Sequence, residues 1–519
     1  MTIYHSPLAD VALRDISITE RLFEGLAGDP GRVVLIDGPS GAEMTGAALR
    51  DRIERLAGGL AARGYCAGQV VAIMAPNSPD FAVAFHGVAY GGGTVTTINP
   101  TYTAPEVGHQ LKDAAATLLI TIPAFLEIAK AAVVGTLVKE IVVLGQAEGY
   151  ASLDDIMGAP FTAQVPVDLD RHILVLPYSS GTTGLPKGVM LSHRNLVVNV
   201  DQILPLLDIR AGETSVAFLP FFHIYGMNVL MNSFLSAGGT LVTLPRFDLE
   251  GVLTHIQTHK VRILLVAPPV AIALAKHPMV DNFDLSSLQV VLSAAAPLGP
   301  EVSQACGARL NCTVIQGYGM TELSPLSHAV PHRAPKPGSV GITAPRSQTR
   351  IVDPVTGANQ SVGHEGEVWV RGPQVMLGYL NNPDATAKTM EGDWLKTGDL
   401  GLVDEDGYLF IKDRLKELIK VKGFQVAPAE VEGELLGLPG IADVAVIGIP
   451  DDEAGEVPMA FVVSAAGAVQ DVAAIQAALR KRLTGYKVPT RIEFIDAIPK
   501  SAAGKILRRV LRERVKDQS

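Results

Sequence analysis

Across residues 51–65 apolar side chains recur at helical spacing, with Ile53, Leu56 and Leu60 on one face, and residues 70–74 then form an unbroken apolar run that stops before Asn77. That pattern predicts an amphipathic helix followed by a buried strand. The alternation continues through LLIT (118–121), EIVVLG (140–145), HILVLPYS (172–179), LLVAPP (264–269) and VVLSAAAP (290–297), each run ending near Gly, Pro or Ser and generally followed by a helical pattern. Fully apolar strands alternating with helices predict doubly wound α/β sheets. From Ile351 the texture changes to GEVWVRG, GDWLKTGDLG and GYLFIKDR, short strands parted by glycine turns. An antiparallel or barrel-like β subdomain is expected there, over about residues 345–413. Beyond DRLKE (413–417) the pattern restarts, with VEGELLGL and VAAIQAALRKRL helical and ADVAVIGI and MAFVVSA strand-like. The expected organisation is a large unit of residues 1–413 and a small α+β unit of residues 414–519, joined by a linker between Asp413 and Lys416.

Residues 219–244 are the most apolar stretch, but Pro220, His223, Asn228, Asn232 and Gly238 interrupt it, which makes a membrane span costly and a buried core segment the better reading. A length of 519 residues exceeds one ordinary domain, and 48% hydrophobic against 18% charged residues excludes disorder. The formal net charge of -10 and the lack of a long Lys/Arg run argue against a nucleic-acid partner. Three cysteines, Cys66, Cys306 and Cys312, lack metal or redox spacing, and neither end carries a recognised targeting pattern, so a reduced, cytoplasmic protein is expected. A monomer and a homodimer fit the composition equally.

The strongest chemical signal is YSSGTTGLPKG at 178–188, where a strand end meets hydroxyls, glycines and one lysine. Small residues let backbone N–H groups approach phosphate oxygens, hydroxyls donate further bonds, and Lys187 adds a point charge. It is not a Walker loop, because Lys187 follows Pro186 and precedes Gly188.

With that loop the chain resembles the superfamily of acyl-CoA synthetases, nonribosomal adenylation domains and beetle luciferases, and FHIYG (222–226) with QGYGMTELSP (316–325) look most like the 4-coumarate–CoA ligase branch. The resemblance spans nearly the whole chain. It implies an ATP-dependent acid–thiol ligase that makes an acyl-AMP and passes the acyl group to coenzyme A, with Mg2+ as the metal. By the same resemblance Ser179, Ser180, Gly181, Thr182, Thr183 and Lys187 hold the pyrophosphate of ATP, while Gln316, Gly317, Tyr318 and Ala295 lie by the nucleotide. Thr321 stands near the α-phosphate, and Glu322 with Thr182 would hold magnesium, whose preference for oxygen ligands fits. Asp399 matches the acceptor of both ribose hydroxyls and Arg414 its partner. Without those neighbours a Thr-Glu pair is an ordinary helix start and Asp399 a turn aspartate.

Lys505, in PKSAAGKILRR (499–509), matches the lysine that bridges the substrate carboxylate and the α-phosphate. In the family the small domain rotates about the position of Lys416 and then presents the segment holding Lys420, Lys422, Gly423 and Gln425 for thioester formation. Lys422, Gly423 and Arg246 fall to the CoA side. The acyl pocket matches Ile224, Tyr225, Asn228, Leu292, Ala294, Ala295, Gly317, Gly319, Pro325 and Leu326, with His223 as its aromatic gate. Plant hydroxycinnamate ligases usually have Lys-Ser-Gly where this chain has Leu292, Ser293 and Ala294. A lost polar group and an added methyl point to an apolar aryl or medium-length aliphatic acid. A carrier-loading adenylation enzyme would carry an acidic anchor for an amino group, and a silent adenylate-binding protein would have lost Glu322 or Lys505; neither departure is visible.

Overall fold

The computed structural model describes residues 2–179, 186–422, 424–451, 453–465, 467–468, 471–501 and 504–517. An eight-stranded sheet runs in the order Gly378–Tyr379, Lys187–Ser192, Ile173–Ser179, Thr94–Thr97, Val70–Met74, Ala116–Thr121, Glu140–Val143, Ala151–Ser152. It is parallel from Ile173–Ser179 onward and antiparallel on the other side. A five-stranded sheet takes Ile263–Val266, Val290–Ser293 and Thr313–Gly319 in parallel, then Leu326–Ala329 and Ile342–Thr343 antiparallel. Thr214–Ala217, Thr240–Thr243, Val33–Asp37 and Glu43–Thr45 form a third sheet. One continuous apolar core links these layers, as α/β packing requires.

The helix expected at 51–65 spans Gly46–Ala62, starting earlier because the Thr45 hydroxyl caps the backbone N–H of Ala48 at 3.2 Å. The β subdomain takes the antiparallel form, built from Gln348–Val352, Gly366–Arg371, Met390–Glu391, Trp394–Val403 and Leu409–Arg414, and it recruits Tyr4–His5 from the chain start. After it, Ile419–Val421, Phe424–Val426, Ile441–Asp451, Gly455–Ser464 and Arg491–Phe494 make another sheet. Its two apolar clusters, around Val431, Leu435 and Val462 and around Ile447 and Phe461, are separate from the large core.

The 219–244 stretch is buried, as its composition predicts, with Tyr225–Asn232 wound as a π-helix. No helix among the described residues is long and apolar enough to cross a membrane. The facing helix His193–Leu207 places Asn195, Asn199 and Gln202 along one buried stripe. Asn195 donates to the carbonyls of Pro373 and Val375 at 2.8 and 3.0 Å, Asn199 exchanges bonds with the Leu326 backbone at 2.8 and 3.2 Å, and Gln202 donates to Pro345 at 2.7 Å. Asn228 donates to the Ser324 carbonyl at 2.7 Å.

Two buried histidines tie the first helix, Ile18–Ala27, to this core: His86 Nδ1 lies 3.1 Å from the Thr19 hydroxyl, and His193 Nδ1 accepts from the Ile18 N–H at 3.3 Å. Burial pulls both pKa values from 6.5 down to about 3. Between those limits the unfolded chain binds more protons than the folded one, so the stabilisation is complete above pH 6.5 and lost as pH falls toward 3. Urea unfolding between pH 7 and 4 is expected to show stability declining by roughly 1.4 kcal/mol per pH unit for each histidine, and a shallower decline in His193→Gln.

Candidate active site

The site lies where the strands Ile173–Ser179 and Thr313–Gly319 end. The first turns back into Lys187–Ser192 in a register that sets Lys187 opposite Ser179 and Gly188 opposite Tyr178. Ser180, Gly181, Thr182 and Thr183, the middle of the predicted phosphate loop, lie outside the described residues. Its two ends do converge on Glu322: the Ser179 hydroxyl donates to Glu322 Oε1 at 3.3 Å, and Lys187 Nζ stands 4.2 Å above the ring of Tyr379, whose hydroxyl donates to the same Oε1 at 2.7 Å. Thr321 is buried beside Glu322, which is itself only 5% exposed and forms no salt bridge among the described residues.

The second strand delivers Gln316, Gly317, Tyr318 and Gly319. Gln316 is spent on its own scaffold, accepting from the Leu298 N–H at 3.0 Å. Gly319 has no room for a side chain, since a Cβ there would come 2.0 Å from the Pro325 carbonyl oxygen. Ala295 is held at a φ of 75°, a left-handed conformation that strains an alanine.

Tyr318 donates to Asp399 Oδ2 at 2.6 Å and Arg414 Nε lies 3.3 Å from Oδ1, so both oxygens of this buried carboxylate are engaged. Burial raises the pKa of Asp399, while Arg414, the Tyr318 hydroxyl and Lys505 oppose that rise. Lys505 belongs to the small unit yet reaches this cluster. Burial and then the charge of Arg414 pull its pKa down to about 8, against the opposing pull of Glu322 and Asp399. Gly504 packs against Ala267 and Pro269 of the large unit. His223 is held neutral, its pKa lowered to about 3 by burial and then by the Lys505 charge.

Around the matched acyl pocket, Leu292 and Leu326 are buried and their methyls flank Gly317, at 3.5 and 3.6 Å from where its Cβ would lie. Ile224 and Pro325 are buried and Ala294 is half-buried. The polar ends here turn inward: the Tyr225 hydroxyl lies 3.3 Å from the carbonyls of Val266 and Leu292, and Asn228 is bound to Ser324 and Asn232. The predicted CoA-side residues are not drawn to this centre. Arg246, Lys416, Lys420, Lys422 and Gln425 are all exposed, and Lys422 pairs with Glu453 at 2.7 Å; Gly423 lies outside the described residues. Sequence reading missed Tyr379, because its partners are 57 and 192 positions away and Gly-Tyr carries no chemical signature of its own.

The chain matches the family model of AMP-binding enzymes over residues 22–380 and that of the AMP-binding enzyme C-terminal domain over residues 430–505. It is 41% identical to 4-coumarate–CoA ligase 5 of Oryza sativa subsp. japonica, over 99% of this chain and 97% of that protein. To 4-coumarate–CoA ligase 2 of Petroselinum crispum it is 39% identical, again over 99% and 97%. Among solved structures it is similar to the anthranilate CoA ligase AuaEII in complex with anthranoyl-AMP, with a TM-score of 0.90 and 28% identity over 97% of this chain and 98% of that one. ATP-bound MatB from Rhodopseudomonas palustris gives a TM-score of 0.88 and 30% identity over 97% and 99%.

Tyr318→Phe removes one donor from a carboxylate that stays buried. Urea denaturation is expected to show it destabilised by about 1–3 kcal/mol relative to the parent at neutral pH.

Proposed function

The chain belongs to the AMP-binding family of adenylate-forming enzymes, and we propose that it joins a carboxylic acid to the thiol of coenzyme A through an acyl-AMP. The observation that carries this reading is one cleft in which Ser179 and Lys187 meet Glu322 and Tyr379 and Asp399 is bound by Tyr318 and Arg414, with Gly504, next to Lys505, seated against Ala267 and Pro269. In the first step a substrate carboxylate oxygen attacks the α-phosphorus of ATP, the bond from that phosphorus to pyrophosphate breaks, and no base is needed because the carboxylate is already ionised. Charge grows on the phosphate oxygens as pyrophosphate leaves. The Lys505 ammonium, still largely protonated at pH 7 with a pKa of about 8, would stabilise that charge. Asp399 keeps lone pairs for the ribose hydroxyls beyond those used by Tyr318 and Arg414.

Glu322 suits a divalent cation: it is a buried carboxylate with no salt bridge among the described residues and with hydroxyl donors confined to one oxygen. Glu322 and Thr182 would hold magnesium, which when bound neutralises phosphate charge.

In the second step the CoA sulfur attacks the acyl carbon, and the bond to AMP breaks. Rotation of residues 414–519 about the segment between Asp413 and Lys416 would withdraw Lys505 and bring in the strands that carry Lys420 and Gln425, with Lys422 and Gly423 between them in sequence. The exposure of those residues while Lys505 is docked supports this reading. Lys505→Ala is expected to lower acid-dependent pyrophosphate exchange on the order of 10²–10³-fold. The same variant should convert supplied acyl-AMP and CoA to thioester at nearly the parental rate, and equal loss in both assays would contradict the two-face arrangement.

The proposed acid is an aryl acid with the frame of a hydroxycinnamate but an apolar ring, or a medium-chain apolar carboxylic acid. Leu292 and Ala294 stand where a polar group and a glycine would favour a substituted ring, and the polar ends of Tyr225 and Asn228 are already bound. A ring hydroxyl buried against Leu292, Tyr225 and Asn228 would find no free partner among those three, which disfavours it. Thioester formation from ATP, Mg2+, CoA and a panel of acids is expected to give kcat/KM for cinnamate at least equal to that for 4-hydroxycinnamate. Strong preference for the hydroxylated acid would contradict this pocket, and amino-acid activation without a thioester would favour a carrier-loading enzyme.

A further inference from the structure

Among the described residues, the Tyr379 side chain touches both the lysine of the proposed phosphate loop and the carboxylate of Glu322. Its hydroxyl donates to Glu322 Oε1 at 2.7 Å, and its ring face lies 4.2 Å beneath Lys187 Nζ. Neither contact is incidental to a floppy side chain, because the backbone of this segment is pinned on both sides. The Met376 N–H donates to the Glu322 carbonyl at 2.9 Å, the Leu377 N–H to Met190 at 2.9 Å and the Leu380 N–H to Gly188 at 2.8 Å. The Tyr379 N–H is bound to the Thr386 hydroxyl at 2.9 Å, and Gly378 sits at a φ of 141°, a conformation that only glycine adopts readily.

We propose that Tyr379 is a positioning residue of the ATP site, holding Glu322 with Oε2 turned to the metal while its ring seats the Lys187 ammonium for the phosphates. The hydroxyls of Tyr379 and Ser179 both go to Oε1, and no hydrogen bond to Oε2 is found among the described residues. One rigid phenol thereby fixes the two opposite charges that must meet the same triphosphate, so that neither has to be ordered when the nucleotide arrives. A cation held over an aromatic face keeps its charge and its donors free on the far side. This inference rests on the reading of Glu322 as a magnesium ligand and adds a residue that touches neither metal nor substrate.

The two contacts separate by mutation. Tyr379→Phe keeps the ring under Lys187 and loses only the bond to Glu322, whereas Tyr379→Leu loses both. The readout is binding of a non-hydrolysable ATP analogue, measured calorimetrically across a magnesium titration with the full-length protein. Tyr379→Phe is expected to raise the magnesium concentration for half-maximal binding about tenfold while analogue affinity at saturating magnesium stays within about twofold. Tyr379→Leu should show that shift and also weaker binding at saturating magnesium. An unchanged magnesium midpoint in Tyr379→Phe, or weakening by one factor at every magnesium concentration, overturns the proposal. Glu322→Gln decides the reading beneath it: a parental magnesium midpoint there removes Glu322 as the ligand. A shifted midpoint in Glu322→Gln alongside a parental one in Tyr379→Phe leaves Glu322 standing and rejects Tyr379.

Discussion

Side-chain amides survive inside an apolar interior only when their donors and acceptors are matched, since each unmatched group costs about 1–3 kcal/mol. The stripe of Asn195, Asn199 and Gln202 on the buried helix His193–Leu207 meets that condition by binding backbone of distant segments, with a further bond from Asn199 to Gln202 and one from Gln202 to Ser347. It thereby fastens three separate segments, around Leu326, Pro345 and Pro373 to Val375, to one rigid rod. Glu322 precedes the first of these by four residues and Tyr379 follows the last by four. The carboxylate and the phenol of the cleft are placed by hydrogen bonds made deeper in the molecule, and a change in that helix would be felt at the cleft as a misplacement.

Charge sets the rest of the cleft. Asp399 and Glu322 are buried acids, Arg414 and Lys505 the bases that face them, and no single pair neutralises the other completely. Lys505 is pulled down by burial and by Arg414 and held up by the two carboxylates, which leaves it at about 8. Its ammonium is available to a developing phosphate charge because neither carboxylate holds it in a salt bridge among the described residues.

Much of the architecture is legible in the sequence because parallel strands such as Val70–Met74 and Ile263–Val266 are continuous apolar runs and helices such as Gly46–Ala62 carry an apolar face. The phosphate-loop proposal also starts from a local pattern: hydroxyls, glycines and Lys187 are contiguous in the chain. What the sequence hides is set by partners far along it. Tyr4–His5 is too short to show alternation and becomes a strand only by pairing with Gln348–Val352. Tyr379 gains its meaning from Lys187 and Glu322. The side chains of Tyr225 and Asn228 stand at positions that sequence matching assigns to a pocket wall, yet the direction of their polar ends depends on carbonyls of Val266, Leu292 and Ser324 that no pattern reveals.

The small unit closes its apolar clusters on its own strands and helices, around Val431, Leu435, Val462 and Phe461. If the unit turns as a body, as proposed, none of that interior need be exposed. What differs between orientations is a thin seam, such as Gly504 against Ala267 and Pro269, together with the field acting on one ammonium. On the proposed rotation, the departure of an anionic product would change the field acting on the Lys505 ammonium and so weaken its hold on the cleft.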